Sequence, residues 1–130
     1  MTDTANKLPC PSSVEALSQL QDIACECSAP DWNGEDALPV GSAAIQNAKD
    51  FIRALPEDVP APECAPEPDG AVCLDWLPSR RHTFSLSVSG GNRVAYAWLN
   101  GAEQGHGTAH FDGSSVPECA LAKLRLVLGH

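Results

Sequence analysis

The chain has 130 residues, of which 43% are hydrophobic and 19% charged, so its size and composition fit one globular domain with a buried core. Its formal net charge of −9 disfavours direct binding to nucleic acid or to an anionic membrane. The sequence has no apolar run near the roughly 18 residues of a membrane span and no signal-peptide pattern at its start, so we expect a cytoplasmic protein.

Residues 1–11 are predicted to form a flexible N-terminal arm, and residues 12–130 a single domain. Apolar side chains at helical spacing predict a first helix that starts at a capping box on Ser12 and stops before Pro30. The same spacing predicts a second helix, capped by Ser42 and ended by Pro56.

The acidic charge is concentrated in the first half of the chain. Between Asp22 and Asp75 stand twelve acidic residues against two basic ones, whereas Trp76 to His130 carries five basic and three acidic residues. Charge governs association more than fold, so this asymmetry predicts one acidic surface for docking or for solubility.

A block of turn-forming residues, Asp31-Trp32-Asn33-Gly34, lies between the two helices. Trp32 has two interpretations. It anchors this loop to the core, or it is an exposed aromatic residue that binds a partner.

The segment 56–70 is predicted to be an acidic connector in a polyproline-like conformation. Between Pro56 and Pro68 it contains five prolines and four acids, and proline prevents both helical and ladder hydrogen bonds.

Three stretches of alternating apolar and small or polar residues follow, and they predict antiparallel strands. A continuous apolar face requires a three-residue hairpin loop, which pairs Val88 with Val94, Leu86 with Tyr96 and Phe84 with Trp98. Thr108 to Phe111 is predicted as a short fourth strand. A capping box that begins at Ser115 predicts a last helix, which continues to Gly129. The predicted fold class is α+β: a three- to four-stranded antiparallel meander with two N-terminal helices and one C-terminal helix packed on one face.

The face opposite the apolar one carries small side chains where a solvated sheet normally carries longer ones. These are Cys73, Ser85, Ser87, Ser89, Ala95 and Ala97. Small residues permit close approach, so this face either meets a partner or a second copy, or is covered by a helix of the same chain.

The histidines are the candidates for metal binding. His106 and His110 lie four residues apart, so they share a strand face but stand roughly 13 Å apart, too far for one ion without a bend. A small metal-dependent enzyme or module that uses His82, His106 and His110 is one alternative, and a polar loop whose histidines form hydrogen bonds is the other.

Further signs of catalysis or of a bound cofactor are weak. Six cysteines without an export signal indicate reduced thiols, and their spacing does not suit a structural zinc ion. A Gly-x-Ser-x-Gly nucleophile motif and a phosphate-binding loop are both missing from the sequence. We therefore expect neither an enzyme nor a resident cofactor.

Several short motifs resemble a set of small uncharacterised bacterial proteins. The shared elements are Trp32-Asn33-Gly34 with Ala37 and Pro39-Val40, Pro66-Glu67-Pro68-Asp69-Gly70 before a strand that ends in Trp76, and His106-Gly107-Thr108. Asn33 replaces the aspartate of that pattern, and the similarity covers the chain from about Trp32 onward. The resemblance implies a common fold and no mechanism, and it favours a partner in a toxin, defence or counter-defence (anti-CRISPR-like) system.

These observations predict a small binding protein that regulates or inhibits a protein partner with a basic surface. The alternatives are the histidine-based metal module and a structural homodimer joined through the small-residue sheet face. The residues expected to contact the partner are Asp31, Trp32, Glu35, Asp36, Glu57, Asp58, Glu63, Glu67 and Asp69.

Overall fold

The computed structural model of the chain describes residues 11–35 and 37–129. Its elements, in chain order, are α1 (Pro11–Glu26), α2 (Ser42–Ala54), β1 (Glu63–Pro66), β2 (Val72–Ser79), β3 (His82–Val88), β4 (Arg93–Asn100), β5 (Glu103–His110) and α3 (Glu118–Leu128). The arm predicted for residues 1–11 lies almost wholly outside the described residues.

The strands form one antiparallel meander in the order β1-β2-β3-β4-β5, which confirms the α+β class. The prediction of three to four strands was wrong, because β1 lies inside the segment predicted as a connector. The prolines of this segment were the reason for not predicting a strand there. Pro66 is, however, the last residue of β1, and β1 is an edge strand, so the missing N–H of Pro66 need not remove a hydrogen bond between strands.

The last strand is also longer than the predicted Thr108–Phe111. It spans Glu103–His110 and pairs with β4 along its whole length. Gly105 and Gly107 lie within the strand, where they pair with Trp98 and Tyr96.

The predicted register of the β3–β4 hairpin is confirmed: Val88 pairs with Val94, Leu86 with Tyr96 and Phe84 with Trp98. Asn47 of α2 holds this hairpin from outside the sheet, because its side-chain amide donates to the carbonyls of Ser89 and Gly91, both at 2.9 Å.

One core joins the three helices to the sheet face that carries Leu74 and Leu86, which we call the core face. Leu20 of α1, Phe51 of α2 and Leu124 of α3 are buried in it at 0–1% exposure, so each helix has an apolar stripe in the same cluster.

The helix starts differ from the predicted caps. The N-cap of α2 is Gly41 rather than Ser42, and that of α3 is Pro117, and neither makes a side-chain capping bond. Before α3, the Asp112 carboxylate accepts the backbone N–H of Ser115 at 3.2 Å, so Ser115 lies in the turn before the helix and not at the predicted capping position.

Candidate protein-interaction surface

The loop after α1 is closed by its own hydrogen bonds. The indole N–H of Trp32 donates to the carbonyl of Leu38 at 2.7 Å, and the Asn33 side chain accepts the backbone N–H of Glu35 at 2.8 Å. Asp31 has a positive φ of 62°, and its backbone N–H donates to the carbonyl of Ala37 at 2.7 Å. Trp32 is half-buried against the core, so it anchors the loop that displays Asp31 and Glu35.

This loop adjoins the β1–β2 turn. The backbone N–H of Leu38 donates to the carbonyl of Pro68 at 2.7 Å, and the Asp69 carboxylate accepts the backbone N–H of Ala71 at 3.0 Å. Two acidic segments that are far apart in sequence, around Glu35 and around Asp69, therefore meet at one end of β1.

A second acidic group lies at the other end of β1. Asp58, in the loop after α2, accepts a bond from the Arg125 guanidinium of α3 at 3.1 Å, and Glu57 precedes it. Glu63 begins β1 and stands directly opposite Asp75 of β2. Two carboxylates therefore occupy one paired position of the β1–β2 ladder.

The small side chains form a continuous patch on the sheet. Following the strand register, the small-residue face consists of Cys73, Ser85, Ser87, Ala95 and Ala97. Ala95 and Ala97 are exposed, so no helix in the described part of the chain covers that end of the face.

A shallow hollow of about 250 Å³ lies over this face. Glu67 stands at its rim and accepts the hydroxyl of Ser87 at 2.6 Å. The hollow therefore combines a floor of small side chains with a carboxylate at its edge.

The thiols beside the acids are poor nucleophiles. Burial, followed by a hydrogen bond to Asp75, raises the pKa of Cys73 to about 12, and its Sγ lies 3.1 Å from that carboxylate. Burial and the charge of Asp75 raise the pKa of Cys64 to about 12 as well. Both thiols stay protonated near neutral pH, so they add no reactive thiolate to this surface.

The histidines of the metal alternative do not come together. His82 is the first residue of β3 and lies, by register, on the same face as Phe84 and Leu86. Its Nδ1 lies 2.7 Å from Ser79 Oγ. His106 and His110 are exposed on β5, where His106 pairs with Ala97 on the small-residue face. In residues 11–35 and 37–129, no group of three or more His, Cys, Asp and Glu side chains could hold a metal ion.

The predicted contact residues fall into two groups beside β1. Asp31, Trp32, Glu35, Glu67 and Asp69 lie near its end at Pro66, and Glu57, Asp58 and Glu63 lie near its start. Asp36 is outside the described residues. The prediction missed Asp75, although strand periodicity in the sequence already puts Asp75 on the same face as Cys73.

The chain was compared with protein-family models, with curated proteins and with solved structures, and none of them matches it. In the described ranges, each helix is too short or too polar to cross a membrane.

Proposed function

We propose that this protein is a non-catalytic binding protein of the cytoplasm that regulates or inhibits a protein partner by docking on the partner's basic surface. The observation that carries the proposal is the pairing of Glu63 with Asp75, which together line a second hollow of about 340 Å³. Five free cysteines in the described residues are consistent with a reducing compartment.

The first argument is electrostatic. Glu63 and Asp75 face each other on paired strands, and no basic side chain of the described chain forms an ion pair with either of them. A lysine or arginine from a partner would gain charge-assisted hydrogen bonds to these carboxylates.

The second argument is steric. The serine, cysteine and alanine side chains of the small-residue face let a partner approach the sheet closely, and the hollow admits a long basic side chain toward Glu67. We infer that the three helices lie together behind the core face, which leaves this face available for docking.

The partner class follows from this chemistry. A surface rich in arginine and lysine, such as the nucleic-acid-binding surface of a nuclease or toxin, would meet carboxylates in place of phosphates. A defence or counter-defence role, including an anti-CRISPR-like one, fits that class of partner.

The test is affinity capture from lysate of the source cells at roughly 50 and 500 mM NaCl, read by mass spectrometry. We expect a basic protein at low salt that is lost at high salt. The purified pair is then titrated by calorimetry with the double variant Glu63→Gln/Asp75→Asn.

The matched control is Glu103→Gln/Glu118→Gln, which removes the same charge from two exposed acids outside the β1 region. We expect the first variant to weaken binding at least about tenfold and the control less than about twofold. Equal effects of the two variants, or the absence of a captured protein at either salt concentration, would contradict the proposal.

A second candidate, a structural homodimer through the small-residue face, is favoured by the exposure of Ala95 and Ala97. In that case Ala95→Arg, which places a long charged side chain on the face, would convert a dimer to a monomer.

A further inference from the structure

In residues 11–35 and 37–129, the backbone groups on the outer edge of β5 have no hydrogen-bond partner. The N–H of Phe111 donates to the carbonyl of Asn92 at 2.8 Å, just beyond the β4–β5 ladder. Bonded and non-bonded pairs alternate along an antiparallel ladder, so the odd-numbered residues of β5 bond to β4. The N–H and C=O groups that point away from the sheet belong to Gln104, His106, Thr108 and His110.

The β3–β4 ladder gives the same alternation independently. The N–H of Gly101 donates to the carbonyl of Arg81 at 2.8 Å, so the odd residues of β4 bond to β3 and its even residues bond to β5. No hydrogen bond within the described chain reaches the outward groups of β5.

The opposite edge of the sheet, β1, is blocked against pairing with a further strand. By the same alternation, the backbone groups of Cys64 and Pro66 point away from β2, and the N–H of Cys64 donates to the Gln19 side chain at 2.8 Å. Pro66 has no N–H, and neither does Pro62 just before the strand. Such blocking is how proteins protect an edge strand from pairing, so the part of the chain that the structure describes protects β1 and leaves β5 unprotected.

Nothing in β5 opposes the addition of a strand. From Gln104 to His110 it contains no proline, lysine, arginine, aspartate or glutamate, and its register with β4 is unbroken from Arg93–His110 to Asn100–Glu103. The usual obstacles, which are inserted charges, proline and bulges, are missing from residues 104–110, and the carboxylate of Glu103 stands at the first position of the strand.

We propose that β5 pairs antiparallel with β5 of a second copy of this chain, about a two-fold axis at Gly107. In this register Gln104 faces His110 of the partner copy and His106 faces its Thr108. All four outward residues of each copy then form hydrogen-bonded pairs. Registers centred elsewhere use fewer of them.

A second copy fits this edge because an antiparallel ladder is its own complement under two-fold symmetry. The centre brings Gly107 against Gly107, where no side chains collide, and the register places no two carboxylates and no two basic side chains directly opposite each other. The two-fold axis is perpendicular to the sheet, so both small-residue faces lie on the same side. The dimer thus presents two acidic docking surfaces, at its outer ends, to one bivalent partner.

The experiment is sedimentation equilibrium of the full chain over about 1–200 µM, a range that spans the affinities of weak and moderate dimers. We expect a mass that rises from 13.7 kDa toward twice that value. Thr108→Pro removes an outward N–H without removing a bond to β4, and we expect it to raise the dissociation constant at least about tenfold. Thr108→Val, which keeps the N–H and the branched shape, should dimerise as the unmodified chain does.

Three further measurements test the same edge. Thr108→Lys blocks the edge by charge and is used if circular dichroism shows that the proline variant is misfolded. Ala95→Arg should leave the β5 dimer intact, and hydrogen exchange at His106 and Thr108 should slow as concentration rises. A monomer over the whole range, or a dimer that Ala95→Arg disrupts and Thr108→Pro does not, overturns the proposal.

Discussion

The ring of Tyr96 lies against Gly107 on the neighbouring strand, so closely that a Cβ atom at Gly107 would stand 2.8 Å from Tyr96 Oη. The two residues are directly paired in the β4–β5 register. The aromatic ring covers the backbone of the paired glycine, which has no side chain to cover it. This contact explains how a glycine-rich segment forms a regular strand.

Replacing Gly107 with alanine should therefore destabilise the fold, because the added methyl group displaces the Tyr96 ring. We expect a loss of about 1–3 kcal/mol in the free energy of unfolding, measured by urea denaturation. Gly91→Ala is the matched control, since nothing lies within 4 Å of the Cβ it would add. Equal stability of the two variants would show that the Tyr96 ring moves aside freely.

Gln19→Ala should weaken the attachment of α1 to β1, because it leaves the N–H of Cys64 without its acceptor. We expect a loss of about 1–3 kcal/mol and faster hydrogen exchange at the Cys64 amide. Gln21→Ala is the control on the same helix, where the side chain makes only a 3.8 Å contact with Cys25 Sγ. Unchanged exchange at Cys64 would contradict the capping role of Gln19.

The stability of the protein should fall at alkaline pH. The pKa values of Cys64 and Cys73 are raised to about 12 in the folded chain from an ordinary value of 9.0, so the folded state holds these protons more tightly than the unfolded state. The stabilising contribution is complete below pH 9 and is lost as pH rises toward 12.

Urea denaturation from about pH 8 to pH 10.5 measures this dependence. The variant Cys64→Ala/Cys73→Ala should show a shallower decline than the unmodified chain. Cys25→Ala, at an exposed position, should leave the decline unchanged. Identical slopes for all three proteins would contradict the assignment.

Trp32→Phe should cost about 1 kcal/mol of stability, because phenylalanine keeps the ring against the core but loses the 2.7 Å bond to the Leu38 carbonyl. The affinity for the partner should change little, since Trp32 positions the acidic loop and does not itself project toward the partner. Trp76→Phe, which loses an equivalent bond to the Pro60 carbonyl inside the core, should cost more. A large loss of partner affinity with unchanged stability would make Trp32 a contact residue.

Local patterns in the sequence were sufficient for the central hairpin. The alternation of Phe84, Leu86 and Val88 with serines allowed one loop length that kept apolar residues opposite one another, and the structure has that register. The helical segments were likewise visible as apolar stripes. Their caps were not, because Ser42 and Ser115 have side chains suited to capping that the tertiary structure does not use.

The strands at the two edges depended on long-range contacts that no local pattern contains. β1 contains a proline, and it forms because Gln19 of α1 accepts the N–H of Cys64 and because β2 pairs with it. β5 is rich in glycine and is regular because Tyr96 and Trp98 lie against Gly107 and Gly105. In both cases residues distant in sequence outweigh weak local propensity.

The α+β class, the hairpin register and the acidic character of the first half could be predicted from the sequence, because periodicity and charge are properties of consecutive residues. The pairing of Glu63 with Asp75 and the common face of Cys73 and the alanines of β4 became visible only in the folded chain, as did the difference between the two sheet edges in the described residues. Those relationships arise from pairing between strands, and the strength of such pairing depends on the whole core that holds the strands together.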